Sequence, residues 1–317
     1  MYRPIRFVPD DTKIPFMRYS RAGFIGSVIA ILVAIALFLS LGLNYGIDFQ
    51  GGTLIEIRTE QPANLGDLRS RLSSLGLGDF ELQEFGAPTD VLIRLKTAEG
   101  GEEVQQAQIA EVREALGDGI DYRRIEVVGP KVSGELTRDG VIAVVLSMIA
   151  VLIYIWFRFE WQFSVGTIAS LLHDVFVTIG VLTILRYEFN LASIAALLTI
   201  VGYSLNDTVV VFDRIRENLR KYKQMSLSDL IDLSLNQTLP RTLMTSVSTL
   251  VALFALYFFG GEVLRSFTFT MIFGIFIGTY SSIFISAPVL ICFGARIGQP
   301  AGPHKAEADA EQSPAAP

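Results

Sequence analysis

Six long apolar stretches divide the chain. The first occupies residues 22–43, and five more follow at 140–156, 163–185, 191–212, 242–259 and 267–294. A helix crosses a bilayer with about 20 apolar residues, in a range of about 17–25. Each stretch therefore reads as a spanning helix, and the six together predict an α-helical polytopic membrane protein. The first stretch follows a basic segment, as a signal peptide would, but it is longer than a signal core and no A-x-A-like site follows it. It is expected to be an uncleaved membrane helix.

Between the first two stretches, residues 44–137 change character. Residues 53–59 alternate as a strand. Leu65, Leu68, Leu72 and Leu75 repeat with helical spacing within 64–75, and 80–85 and 91–96 read as strands around a Gly-Ala-Pro turn. Residues 103–116 read as a helix and 122–128 as a last strand. The order βαββαβ is the split pattern of a ferredoxin-like α+β domain. Leu227, Leu230, Ile231 and Leu235 suggest a short amphipathic helix on the membrane surface within the loop 213–241, with Pro240 as its break. The tail 297–317, rich in Ala, Pro and charge, is expected to be disordered.

Composition agrees with a membrane protein. The chain is 51% hydrophobic and 18% charged, with a mean hydropathy of +0.46; soluble domains carry about 25% charge. Lys and Arg number five in residues 1–21 and six in 213–241, but one each in 186–190 and 260–266. The positive-inside rule then places 1–21, 213–241 and both termini in the cytoplasm of a bacterial inner membrane, with 44–137 in the periplasm. That insert holds 17 acids and 9 bases, and no basic patch suits a nucleic acid. One cysteine, Cys292, reads as a small packing residue and excludes an intrachain disulfide. His173 and His304 are too few and too far apart for a metal site. The chain has no P-loop and no G-x-S-x-G, so no enzyme activity and no cofactor are expected.

The candidate chemistry lies within the spans. Asp207 stands six residues inside Asp213, roughly 9 Å along a helix. Inserting a carboxylate at mid-helix costs about 2.5–3.5 kcal/mol, which calls for a partner or a function. Helical spacing puts Thr199, Tyr203, Asn206 and Asp207 on one stripe, expected to face the bundle interior, and Arg241, Thr245, Ser248 and Thr249 on one face of the next span. Asp207 and Arg241 are then expected to pair, with proton uptake by the acid loosening the pair; an interfacial anchor is the plainer reading of Arg241. His173 and Asp174, near the centre of the third span, admit two readings, a proton relay or a helix–helix hydrogen bond. Asp213 and Arg214, with Arg216 and Glu217, read first as a solvated helix end. Gly274 and Gly278 form a GxxxG that suggests close helix packing.

Several stretches carry a resemblance. GIDFQGGT (46–53), VGPKVSGEL (128–136), FRFEWQFSVG (157–166), LLHDV (171–175), GYSLNDTVVVFDRIREN (202–218) and QTLPRTLMTS (237–246) occur in order over about residues 8–296. Together they resemble the SecD/SecF family of bacterial protein-export membrane proteins, of the resistance-nodulation-division superfamily. Within it, the single-unit insert and Asn206-Asp207 followed by FDRIREN suit the smaller subunit rather than SecD. The resemblance implies half of a transporter completed by a SecD-like subunit, with the SecYEG channel, YajC, membrane lipid and exported unfolded polypeptide as partners. It also implies proton-motive-force-dependent assistance of export, with the acid and arginine at Asp207 and Arg241 linked to proton passage. Two other functions compete: a scaffold or chaperone-like module of the translocon, and a small-molecule efflux half-transporter, for which the 94-residue insert leaves little room.

Overall fold

The computed structural model describes residues 9, 12–96, 102–117 and 119–294; the expected disordered tail 297–317, His304 and most of residues 1–11 lie outside them. Helix α1 spans Phe16–Leu41. The short strand β1, Asn44–Tyr45, and the one-turn helix α2, Ile47–Gln50, follow. The insert then runs β2 Gly52–Thr59, α3 Leu65–Ser73, β3 Phe80–Phe85, β4 Ala87–Leu95, α4 Glu102–Leu116 and β5 Ile120–Val128. The remaining helices are α5 Pro130–Arg158, α6 Trp161–Leu185, α7 Leu191–Lys221, α8 Leu227–Phe259, and the pair α9 Arg265–Ser281 and α10 Ala287–Cys292 joined by a π-helical turn, Ser282–Ser286. Strand β6, Glu188–Phe189, links α6 to α7. Six helices are long and apolar enough to cross a membrane, counting Arg265–Cys292 as one.

Three expectations about these helices change. The first begins six residues earlier than the apolar run, because Phe16 and Met17 are buried in the core beside Leu230, Ile231 and Leu235. The second begins at Pro130 rather than Gly140, so the end of the expected insert is helix; Pro at its first position costs no hydrogen bond there. Pro240 does not break the chain: it sits inside α8, whose first turns bury Leu230, Ile231 and Leu235 in the core instead of forming a separate helix on the membrane surface. Side chains on the preceding turn take up backbone acceptors, Thr238 Oγ1 donating to Ser234 O at 3.0 Å and Asn236 Nδ2 to Asp232 O at 2.8 Å. Proline removes only the donor that Asn236 O would meet, and helices within a bundle tolerate that loss.

The insert is a four-stranded antiparallel sheet in the order β3-β4-β2-β5, with α3 and α4 on one face. Ile55, Ile57, Leu82, Val91, Ile93 and Leu95 pack there against Leu68, Leu72, Val112 and Leu116. Asn64 caps α3 by accepting from Gly66 and Asp67 N–H. Arg58 donates from Nε and Nη2 to the two oxygens of Asp90 at 2.5 and 2.6 Å, bridging β2 to β4.

Close packing fixes the helices. A Cβ on Gly274 would fall 2.2–2.9 Å from Ile200, and one on Gly278 would fall 3.1 Å from Ser204, so the GxxxG seats α9 directly on α7. A Cβ on Gly180 would fall 2.8 Å from Ala34 Cα, which presses α1 onto α6 in the same way. Cys292 is exposed rather than packed, because α10 ends at the rim of the bundle.

The hydrogen bonds from Arg58 hold the Asp90 carboxyl below its usual range, although burial opposes them. The pair therefore stabilises the insert above the unfolded pKa of about 3.9, and the contribution disappears as pH falls through the lowered folded value. In the full chain, Asp90→Asn should reduce amide protection of β2 and β4 at pH 7. The difference from the wild type should shrink as pH falls through the lowered folded value. Equal protection at neutral pH would remove this pair from the account.

Candidate functional site

Two carboxylates sit inside the bundle, and their surroundings differ. Asp174, on α6, is fully buried. Its Oδ1 lies 3.0 Å from His173 Nδ1, which donates in the tautomer protonated there; its Oδ2 accepts from Ser204 Oγ on α7 at 2.7 Å and Ser281 Oγ on α9 at 2.8 Å. One side chain thus ties three spans together, and the π turn that re-aims the last span begins at the next residue, Ser282. Of the two readings of His173 and Asp174, the hydrogen-bonding one describes this geometry.

Asp207, on α7, is 3% exposed, yet its Oδ2 is buried with no hydrogen-bond partner. The neighbouring Thr208 hydroxyl and the Tyr203 hydroxyl one turn earlier are also buried without partners. A lone orphaned polar atom is uncommon in a folded interior, and three close together along one helix mark a polar site left incomplete by this chain.

The expected pair with Arg241 does not form. No ion pair joins the two among the described residues, and Arg241 is exposed, although its charge still acts on Asp207. Arg241 stands off the buried line of α8, which is Thr242, Ser246, Leu250 and Leu253. The expected inward stripe on α7 is likewise rotated. Asp207 is buried and Tyr203 half-buried, whereas Thr199 and Asn206 are exposed; the buried line runs through Ala196, Ile200 and Ser204. On α8, Ser248 is exposed and Thr245 and Thr249 are half-buried. At the end of α7, Asp213 and Arg214 are half-buried. Asp213 accepts from Arg158 at 2.7 Å and Arg214 donates to Glu217 at 2.9 Å.

Sequence reasoning missed the device at the opposite end of α7. In GIDFQGG, Gly51 and Gly52 have φ of 71° and 118°, open to glycine alone at little cost. They turn the chain so that Asp48 Oδ2 accepts from Leu191 N–H at 2.9 Å, capping α7 together with Asn190 and Ser193. β1 pairs in parallel with β6, and Gly46 N–H donates to Phe189 O. Arg94, buried in β4, completes the join: Nη2 reaches Glu188 Oε2 at 3.2 Å, and Nη1 reaches Glu81 Oε2 at 3.2 Å and Asn44 Oδ1 at 3.4 Å. Burial pushes the Glu188 carboxyl above its usual range, against the lowering effect of Arg94. The insert, β6 and the first turn of α7 are therefore one bonded unit.

The two acids should respond differently to substitution. Asp174→Ala orphans His173 Nδ1 and Ser204, at about 1 kcal/mol each and about 2 kcal/mol together, while Ser281 keeps its bond to Gly278 O. Asp207→Asn breaks no hydrogen bond and should leave stability within about 0.5 kcal/mol of the wild type. Reversible unfolding of the purified chain measures both; equal losses would contradict the contrast.

The chain matches known proteins over nearly its whole length. The family model described as protein export membrane protein SecD/SecF, C-terminal, matches residues 108–296, and that of the SecD/SecF GG motif matches 36–63. The protein translocase subunit SecF of Cereibacter sphaeroides is 43% identical over 311 residues, covering 95% of this chain and 96% of that one. The protein translocase subunit SecDF of Brucella abortus is 45% identical over 295 residues, covering 93% of this chain but only 39% of that longer protein. The crystal structure of SecDF from Thermus thermophilus, titled a translocon-associated membrane protein, superimposes with a TM-score of 0.82 at 35% identity, covering 90% of this chain and 39% of that one. By model, by sequence and by fold, this chain is a member of the SecD/SecF family of protein-export membrane proteins.

Proposed function

We propose that this chain is the smaller half of a protein-export accessory complex, in which protonation of Asp207 drives movement of the insert. The observation that carries the reading is the buried, unpartnered carboxylate of Asp207 beside a polar outer face. Along α7 the exposed positions Ala195, Thr199, Gly202 and Asn206 form one small and polar stripe, flanked on α8 by Arg241 and Ser248. Polar groups facing hydrocarbon are costly, and small polar stripes suit helix–helix contact. A SecD-like subunit is the partner for this face, and its polar groups would complete the site at Asp207 and Arg241. That partner is consistent with the relatives in which a chain like this forms 39% of a longer SecDF.

The consequence of protonation follows from the joins along α7. Neutral Asp207 no longer attracts Arg241, so the local balance between α7 and α8 changes. The far end of α7 is fastened through Asp48 and β6 to the insert, so displacement of α7 is delivered there. One proton crossing 100 mV releases about 2.3 kcal/mol, enough to bias a two-state element tens-fold. The insert, whose strand order suits a ferredoxin-like domain, lies in the periplasm in this reading. Both termini are cytoplasmic, in a bacterial inner membrane, and the complex assists late translocation at the SecYEG channel with YajC nearby.

A second reading, a scaffold that holds emerging polypeptide, is favoured by the outer strands β3 and β5, which are open sheet edges able to add an extended segment. The two readings separate on one variant. In vesicles holding this chain with its SecD-like partner, Asp207→Asn should abolish proton flux and the dependence of export on the proton gradient. Wild-type flux in that variant would defeat the proton reading; unchanged export would favour the scaffold.

A further inference from the structure

At the end of the bundle opposite the insert, two arginines converge on one aromatic ring. Arg158, the last residue of α5, and Arg216, on α7, place their guanidinium carbons 4.9 and 5.5 Å from the centre of the Phe159 ring. Asp213 holds both: Arg158 Nη2 donates to its two oxygens at 2.9 and 2.7 Å, and Arg216 Nη1 lies 4.0 Å from Oδ1. Arg216 Nη1 also approaches Arg158 O at 3.5 Å, which fixes the second guanidinium relative to the first. Arg220 and Lys221 stand one turn further along α7, and the group lines an open recess of about 630 Å³.

Three features indicate what the recess takes. Its lining carries four cations, Arg158, Arg216, Arg220 and Lys221, against two carboxylates, Asp213 and Glu217, an excess of two positive charges. Glu217 is engaged by Arg214, which lies outside the recess. Arg216 Nε is buried with no acceptor, a charge-bearing donor left open. Beside the recess, Trp156, Phe157 and Trp161 are 68%, 86% and 49% exposed. Exposed aromatic side chains at the end of a span mark the depth at which lipid headgroups meet acyl chains. Basic recesses between spans at that depth suit anionic headgroups, and a fixed guanidinium fork matches phosphate oxygens.

We infer that the recess between the end of α5 and the last turns of α7 binds the phosphate of an anionic phospholipid, whose acyl chains run along the aromatic face of α5. The bound headgroup accepts from the guanidinium groups that line the recess and offsets the crowding of four cations. It thereby braces the α5–α6–α7 corner, where Phe159, Phe163 and Phe212 pack with centroids 5.1–5.9 Å apart.

The test uses the full chain in lipid nanodiscs of phosphatidylcholine doped with phosphatidylglycerol, followed by native mass spectrometry of retained lipid. Phosphatidylglycerol should be retained in preference to phosphatidylcholine. R216Q combined with R220Q should cut that preference about tenfold or more. R220Q alone, at an exposed position, should give a smaller loss without disturbing the fold. R18Q combined with R21Q, which removes two exposed charges from α1, should leave retention unchanged. An equal loss in the α1 variant would reduce the effect to general surface charge and overturn the site. So would undiminished retention in R216Q/R220Q. Displacement of the lipid by inorganic phosphate at matched concentration would assign the recess to a free anion and reject the lipid.

Discussion

A carboxylate enclosed by apolar helices must find its hydrogen-bond donors on those helices, since no water or lipid group supplies them. Asp174 meets that demand in full, and the arrangement of the inner spans follows from it. Ser204 and Ser281 reach Asp174 only because α7 and α9 approach closely, and that approach exists because Gly274 and Gly278 carry no side chain. Small residues and buried acid are therefore one device. The glycines permit the contact, the hydroxyls bond the carboxyl, and those bonds penalise any sliding of α7 past α6 or α9.

Against that fixed centre, Asp207 stands out by lacking what Asp174 has. The two acids lie on neighbouring helices, but only Asp174 has donors supplied from within the chain. An acid held by three donors on three helices is fixed in position. An acid with an open oxygen, beside unpartnered hydroxyls of Tyr203 and Thr208, is held by no such bonds. The rigid hub and the incomplete site thus have complementary roles, one fixing the frame and the other leaving a position whose energy an added group or proton changes.

Much of this was legible in the sequence. Spans, the order of elements in the insert and the burial of Asp207 follow from apolar run length, alternation and the cost of exposing an acid to lipid. The α7 stripe was misjudged because Thr199, Tyr203, Asn206 and Asp207 cover a wide arc of a helix, and spacing alone does not say which edge of the arc points inward. Packing by Ile200 and Ser204 against the glycines of α9 decides it. Local propensity reads Pro240 as a break; its helix continues because the turns before it are held in the core by Leu230, Ile231 and Leu235. The bonds of Asp48 to Leu191 and Arg94 to Glu188 join residues 143 and 94 positions apart. No periodicity carries such pairs. The double glycine was the one local clue, since two successive positive φ values announce a turn built for a purpose.

The surface of the bundle separates the environments it meets. The exposed positions along the apolar stretches of α1 and α5 are mostly large and apolar, among them Phe24, Ile25, Ile29, Leu32 and Leu39 on one and Val141, Val145, Leu146 and Ile149 on the other. The open line of α7, Ala195, Thr199, Gly202 and Asn206, has no large apolar side chain. If hydrocarbon covered both surfaces alike, this division would have no physical cause, because lipid rewards apolar area wherever it lies. A protein surface on α7 gives it one: small residues let a second backbone approach, and Asn206 finds hydrogen bonds there that acyl chains do not offer. The incomplete site at Asp207 lies on this same helix, so the group that completes it and the group that covers the stripe are most economically the same neighbour.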